Sequence, residues 1–253
     1  MPLIVSEAIV LHAFDYLESS RIVRLVTRDA GMRSGLAKGA RKSRRRFAGG
    51  LDLFAQGIAY LHTKPGRELD TLSGFEDART RTELAGDLER FHGAETIAEI
   101  ALQFGREGAD AELFDAIAGA LDAIATEHRR DAREVTLAGA WQIVATLGFA
   151  PVLDECAECD SPIGDEASPI FNHAAGGVLC ARCASLTTGG RKLPPAARNA
   201  IGSWIAGESV TQFSDADARA HQRLLREFLS FHLHDGRTLR AYEQWETGRW
   251  SAA

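Results

Sequence analysis

Cysteine is scarce and confined in this chain: four in 253 residues, all between positions 156 and 183. Proline stands at seven positions and glycine at 24, an ordinary share that excludes a collagen-like repeat and argues against disorder. No apolar run approaches the roughly 18 residues of a membrane span. Glu7, Asp15 and Glu18 interrupt the apolar core that a secretory signal would need. Internal repeats and low-complexity linkers are missing. So are the common catalytic signatures: there is no G-x-x-x-x-G-K-[ST], and Gly189-Gly190-Arg191-Lys192 lacks both its spacing and its hydroxyl. Neither G-x-S-x-G nor H-E-x-x-H occurs. The eight histidines are scattered, those on the last long helix being expected to pack in partly exposed positions. The carboxylates form no pair that spacing singles out. The expectation is a cytoplasmic, non-membrane, non-enzymatic protein whose thiols are available to metal.

The charge that is present is unevenly placed. Residues 1–80 hold 13 basic and 9 acidic side chains, a net of +4, and residues 81–253 hold 16 and 26, a net of −10. Two units with different partners are implied, and only the first attracts a polyanion. Residues 3–77 read as β-structure, with segments at Ala8–Ala13, Arg21–Thr27 and Gly57–Leu61 rich in Val, Ile, Leu and aromatics. Gly31, Gly39, Gly49-Gly50 and Pro65-Gly66 punctuate them. A small barrel or sandwich fits, and periodicity does not choose between the two.

From about Thr80 the period becomes helical. Leu84, Leu88 and Phe91 lead into Ile97, Ile100, Ala101 and Phe104, and Leu113, Ile117, Leu121 and Ile124 share a second face. A third helix runs from about Glu134 to Leu147 and stops at Gly148. Residues 150–190 are loop-like and read as a projecting insertion. Helices return at Pro194–Ile205 and Asp215–His234. The fold class is α+β: a β-domain over 1–80, then a helical domain over 81–253.

Cys156-x2-Cys159 and Cys180-x2-Cys183, twenty residues apart, match the four-cysteine zinc template. Each pair places two thiolates on one knuckle, and two facing knuckles complete a tetrahedron around one Zn²⁺. Four thiolates leave no open position, so such an ion is structural. Disulfides or a metal-free remnant are the alternatives. His173 lies in the same insertion and reads as a surface loop residue.

Lys38, Arg41, Lys42, Arg44, Arg45 and Arg46 place six cations in nine positions without an acid. Such a run is either a solvated loop or a phosphate-binding one, and between β-segments it suits a groove for nucleic acid. Phe14, Tyr16, Phe47, Phe54 and Tyr60 are the aromatics available for stacking, although most rings in so small a barrel belong to its core.

Taken together, Lys38-Gly39-Ala40-Arg41-Lys42 after a β-region, an aromatic-rich strand at Leu51–Leu61, and the insertion Cys156-x2-Cys159 … Phe171-x4-Gly176-Gly177-Val178-Leu179-Cys180-x2-Cys183 resemble the RecO family of bacterial recombination mediators. The resemblance implies an N-terminal OB-fold barrel and a helical domain carrying the zinc finger. It implies binding of single- and double-stranded DNA, strand annealing, and help in loading a recombinase onto strands covered by single-strand-binding protein. Implied partners are RecR and the acidic C-terminal tail of that binding protein, with association to the nucleoid during repair. For the tail, spacing offers Arg219, Arg223 and Arg226 on one helix, with Arg237 and Arg240 beyond it. The rivals are a zinc-finger nucleic-acid-binding regulator and a metal-dependent nuclease. The finger's acids, with Arg182 as its one cation between the first and last cysteine, argue against the former.

Overall fold

The computed structural model describes residues 2–42, 46–47, 51–63, 66, 69–210, 213–232 and 238–248. They form two compact units, 1–127 and 128–253.

The first unit is built on five strands, β1 (Leu3–Tyr16), β2 (Ser20–Thr27), β3 (Gly31–Ala37), β4 (Gln56–His62) and β5 (Asp70–Arg79). They close into a barrel in the order β1-β2-β3-β5-β4, with β1 pairing β4 to complete it. The one parallel pairing, Gly35 with Asp70 and Leu36 with Thr71, joins β3 to β5. Five strands closed in this order are an OB-like barrel. Alternation fills the interior from every strand: Ala8, Val10, Val23, Leu25, Ala37, Ala59, Leu61, Leu72 and Phe75 are all buried there. Gly57 is required by closeness, since a Cβ there would lie 2.5 Å from the Glu76 carbonyl oxygen. The strand expected from Leu51 starts only at Gln56. Residues 51–55 turn instead, with Phe54 at φ 65° and its N–H donated to the Val10 carbonyl at 2.8 Å.

After a 3-10 turn at Thr82–Gly86, α1 (Leu88–Phe104) and α2 (Ala111–Thr126) start on Asp87 and Asp110, whose side chains accept from the N–H groups of Arg90 and Leu113. Arginines clamp α2 to the barrel. Arg28 reaches Glu7 and Asp115 and lies 4.4 Å over the Phe114 ring. Buried Arg81 donates to the Phe54 carbonyl at 2.7 Å and to Asp122 at 2.8 Å.

In the second unit α3 (Ala132–Val144) widens into a final turn, Ala145–Phe149, where Gly148 takes φ 85° as a helix stop requires. The cysteine region is not merely loop: β6 (Ile170–Asn172), β7 (Gly177–Leu179) and β8 (Arg191–Lys192) form a sheet in the order β7-β6-β8, and α4 (Ala181–Leu186) follows β7. Nor does it simply project, because Phe171 of β6 packs on Phe228 at 5.8 Å between ring centroids. Phe228 belongs to α6 (Asp215–His232), which with α3, α5 (Pro195–Ile205) and α7 (Arg240–Thr247) supplies the core. Trp141, Trp204, Tyr242 and Trp245 are its largest fully buried side chains. No helix among the described residues is long and apolar enough to cross a membrane.

Candidate metal centre and nucleic-acid interface

The first cysteine knuckle is a turn closed by two backbone bonds. Cys156 N–H donates to the Ser161 carbonyl at 2.8 Å, and Asp160 N–H to the Cys156 carbonyl at 2.9 Å, with Asp160 at φ 57°. The second is a helix start, Cys180 standing immediately before α4 and Cys183 in its first turn. Between them Gly176 takes φ 72°, and Gly177 lies so near Val152 that a Cβ would meet its carbonyl oxygen at 2.4 Å. The Gly-Gly pair is therefore set by geometry on both counts.

These elements bring Cys156, Cys159, Cys180 and Cys183 together, their four Sγ atoms all within 4.8 Å of one another. All four thiols are free of disulfides. Cys159 Sγ lies 3.8 Å from Cys180 Sγ, the edge of a tetrahedron with metal–sulfur bonds of about 2.3 Å. Burial pushes the Cys156 thiol up, but N–H groups of Cys180, Glu158 and Cys159 outweigh it and bring it down to about 6. Ser161 holds Cys159 down, whereas the Cys159 sulfur first of all pushes Cys183 up to about 12. Four such sulfurs repel when ionised, and a cation among them removes the conflict. The set can hold one metal ion. With all four ligands from protein it offers no position for substrate.

His173 is not a surface loop residue. Its Nε2 lies 3.3 Å from Glu227 Oε2, while Arg191 donates to Glu227 Oε1 at 2.6 Å. Its ring packs against both Phe171 and Phe228, at 5.5 and 6.4 Å between centroids. Burial pushes Glu227 up, yet Arg191 and His173 hold its carboxyl below the usual range. This cluster ties β6 and β8 to α6. His221, expected to be partly exposed, is buried edge-on to Trp204 at 4.8 Å.

The described part of the basic run follows β3 at one end of the barrel. Lys38, Arg41, Lys42 and Arg46 are exposed; Arg44 and Arg45 lie outside the described residues. Arg41 N–H donates to the Ser19 carbonyl at 3.1 Å and Lys42 N–H to the Gly39 carbonyl at 3.0 Å, so the turn is pinned to the β1–β2 hairpin. At its other end Phe47 is buried and bridges to Phe75, and Arg46 donates to the Lys38 carbonyl at 3.2 Å. Asp15 pairs with Arg21 at 3.0 Å and with Arg41 at 3.5 Å. The structure separates the candidates, burying Phe47 and Phe54 and leaving Phe14 and Tyr16 exposed.

Along α6, Arg219 stands 4.0 Å from Asp215, Arg226 donates to Glu246 at 2.6 Å, and Arg223 is exposed. Arg240 is exposed at the start of α7; Arg237 lies outside the described residues. The finger's Asp154, Glu155, Glu158, Asp160, Asp165 and Glu166 are exposed as well.

Two family models match: Recombination protein O N terminal over residues 1–81 and Recombination protein O C terminal over residues 85–241. A curated relative named DNA repair protein RecO from Anaeromyxobacter sp. (strain K) is 35% identical over 242 residues, covering 92% of each chain. That of Anaeromyxobacter dehalogenans (strain 2CP-C) is 37% identical over 245 residues, again 92% of each. A more distant one, from Desulfatibacillum aliphaticivorans, is 29% identical over 242 residues, covering 92% of this chain and 93% of its own. By these matches over nearly its whole length, the chain belongs to the RecO family of DNA repair proteins.

Proposed function

We propose that the protein is a non-catalytic recombination mediator. It binds single- and double-stranded DNA, anneals complementary strands without nucleotide hydrolysis, and assists recombinase loading onto strands coated by single-strand-binding protein. The observation that carries this reading is the exposed, backbone-anchored turn of Lys38, Arg41, Lys42 and Arg46 at one end of the barrel, with Arg44 and Arg45 extending the run in sequence. Neutralising phosphates on two strands lowers the repulsion between them, so complementary bases can meet. The barrel of residues 1–80 then does the DNA work, and the helical part, 81–253, recruits partners. Those partners are RecR and the tail of the strand-coating protein, in the cytoplasm and on the nucleoid during repair.

One Zn²⁺ suits the four-sulfur set, and bound there it supplies structural bracing. Cys156, Cys159, Cys180 and Cys183 would hold it. The test of the DNA site is salt dependence. If four phosphates are neutralised, log K on a single strand falls with log salt at a slope near −3. Replacing Lys38, Arg41, Lys42 and Arg44 by Ala should remove about that much slope, and an unchanged slope refutes the site. Annealing of labelled strands should proceed without ATP, and cleavage in Mg²⁺ or Mn²⁺ would favour a nuclease instead. Arg219, Arg223 and Arg226 are the proposed contacts for the acidic tail. Arg223→Glu with Arg226→Glu should weaken tail-peptide binding at least about tenfold, and unchanged affinity removes the assignment.

A further inference from the structure

The first hairpin carries rings that the core does not use. Along β1, Ala13 packs against the barrel core, while its neighbours His12 and Phe14, and then Tyr16, are exposed. Phe14 and Tyr16 are 44% and 43% exposed, and the His12 and Phe14 rings lie 5.7 Å apart. Ladder pairing sets Ile22 opposite Phe14 and Leu36 beyond it on β3, both half-buried. At the hairpin tip Leu17 adopts φ 53°, a backbone that leucine rarely takes, and is 76% exposed. Single exposed hydrophobics are unremarkable, but a contiguous row with a strained tip is a feature of binding surfaces.

The surroundings say what it binds. Arg41 is bonded through its backbone to Ser19 at the same tip, which brings the exposed cationic turn to the hairpin that carries the rings, with the Arg41 guanidinium 3.5 Å from Asp15. Cations and exposed rings on one hairpin end suit a ligand that is anionic along its backbone and planar in its side groups. Alternate strand residues stand about 6.6 Å apart, close to twice the 3.4 Å rise per nucleotide of a duplex strand. Two such rings can each meet a base only from a strand drawn out of its stack.

Resting on the DNA-binding reading above, we propose that Phe14 and Tyr16 stack on unpaired bases of a single strand whose phosphates lie on the Lys38–Lys42 turn. The row thereby sets the preference for single over double strands, since a duplex offers the turn its phosphates and the rings nothing.

Fluorescence anisotropy of the full chain with oligodeoxythymidylate, an abasic strand of equal length and a duplex tests this. The wild-type protein should bind the base-bearing strand at least about tenfold more tightly than the abasic one. Phe14→Ala with Tyr16→Ala should erase that difference and leave duplex affinity and the salt slope unchanged, and Tyr16→Phe should keep it. Equal wild-type affinity for the two single strands overturns the stacking row and leaves the DNA-binding reading intact. A double variant that loses affinity equally for all three ligands, or for none, also overturns it. No binding of any ligand by the wild-type protein defeats the underlying reading itself.

Discussion

His221 shows what burial does to one titratable group. It sits on α6 with Trp204 and Phe213 against its ring, and its Nδ1 has no hydrogen-bond partner. Removal from water brings its pKa from 6.5 down to about 4, against a smaller upward pull from Asp217 on the same helix. The folded state therefore keeps the ring neutral where the unfolded chain has already taken a proton. Below pH 6.5 the unfolded state binds more protons, so stability falls with falling pH, and the loss levels off below about pH 4. Between pH 7 and pH 5 this amounts to about 2 kcal/mol. His221→Leu should remove that dependence, whatever it costs at pH 7. Urea unfolding followed by tryptophan fluorescence is the suitable measurement, because all four tryptophans lie between positions 141 and 250. An equal loss in both proteins would mean that His221 does not carry the acid sensitivity.

Among elements, those with a repeated pattern were legible and those defined by one or two contacts were not. Leu113, Ile117, Leu121 and Ile124 recur at helical spacing, and all four are buried on α2. The two C-x2-C pairs declared their own assembly, because spacing within each pair fixes a knuckle and only the partner knuckle supplies the remaining sulfurs. β6, β7 and β8 have three, three and two residues, too few for any period to emerge. α7 was also missed. Its eight residues hide Tyr242 and Trp245, one helical step apart, among polar neighbours, and that aromatic pair was the available signal. The fate of Phe14 and Phe54 could not be read locally. Phe54 is buried because a turn at residues 51–55 swings it inward, whereas Phe14 is exposed because Ala13 beside it faces the core. Which face of a strand is covered depends on closure of the barrel, and closure is a long-range property.

At the scale of the whole chain, charge sets the two parts apart. Residues 1–80 carry a net +4 and residues 81–253 a net −10, and the acids around the cysteines are exposed to solvent. A polyanion placed against that finger would meet repulsion of the sign that phosphate avoids. On the proposed reading the cysteine cluster would act on DNA binding only by keeping its own unit folded, since the barrel has a core cluster of its own and the cysteines lie in the other unit. Metal removal should separate these effects. Cys156→Ser strips one sulfur from the buried corner of the site and should abolish stoichiometric metal, measured by elemental analysis of the purified protein. Because ligand binding adds its free energy to the fold, the urea midpoint reported by tryptophan fluorescence should fall by a shift worth several kcal/mol. Oligonucleotide affinity and the slope of log K against log salt should stay where they were. If the slope instead changes by about one unit or more, the finger contributes phosphate contacts, and the assignment of DNA binding to the barrel alone is wrong.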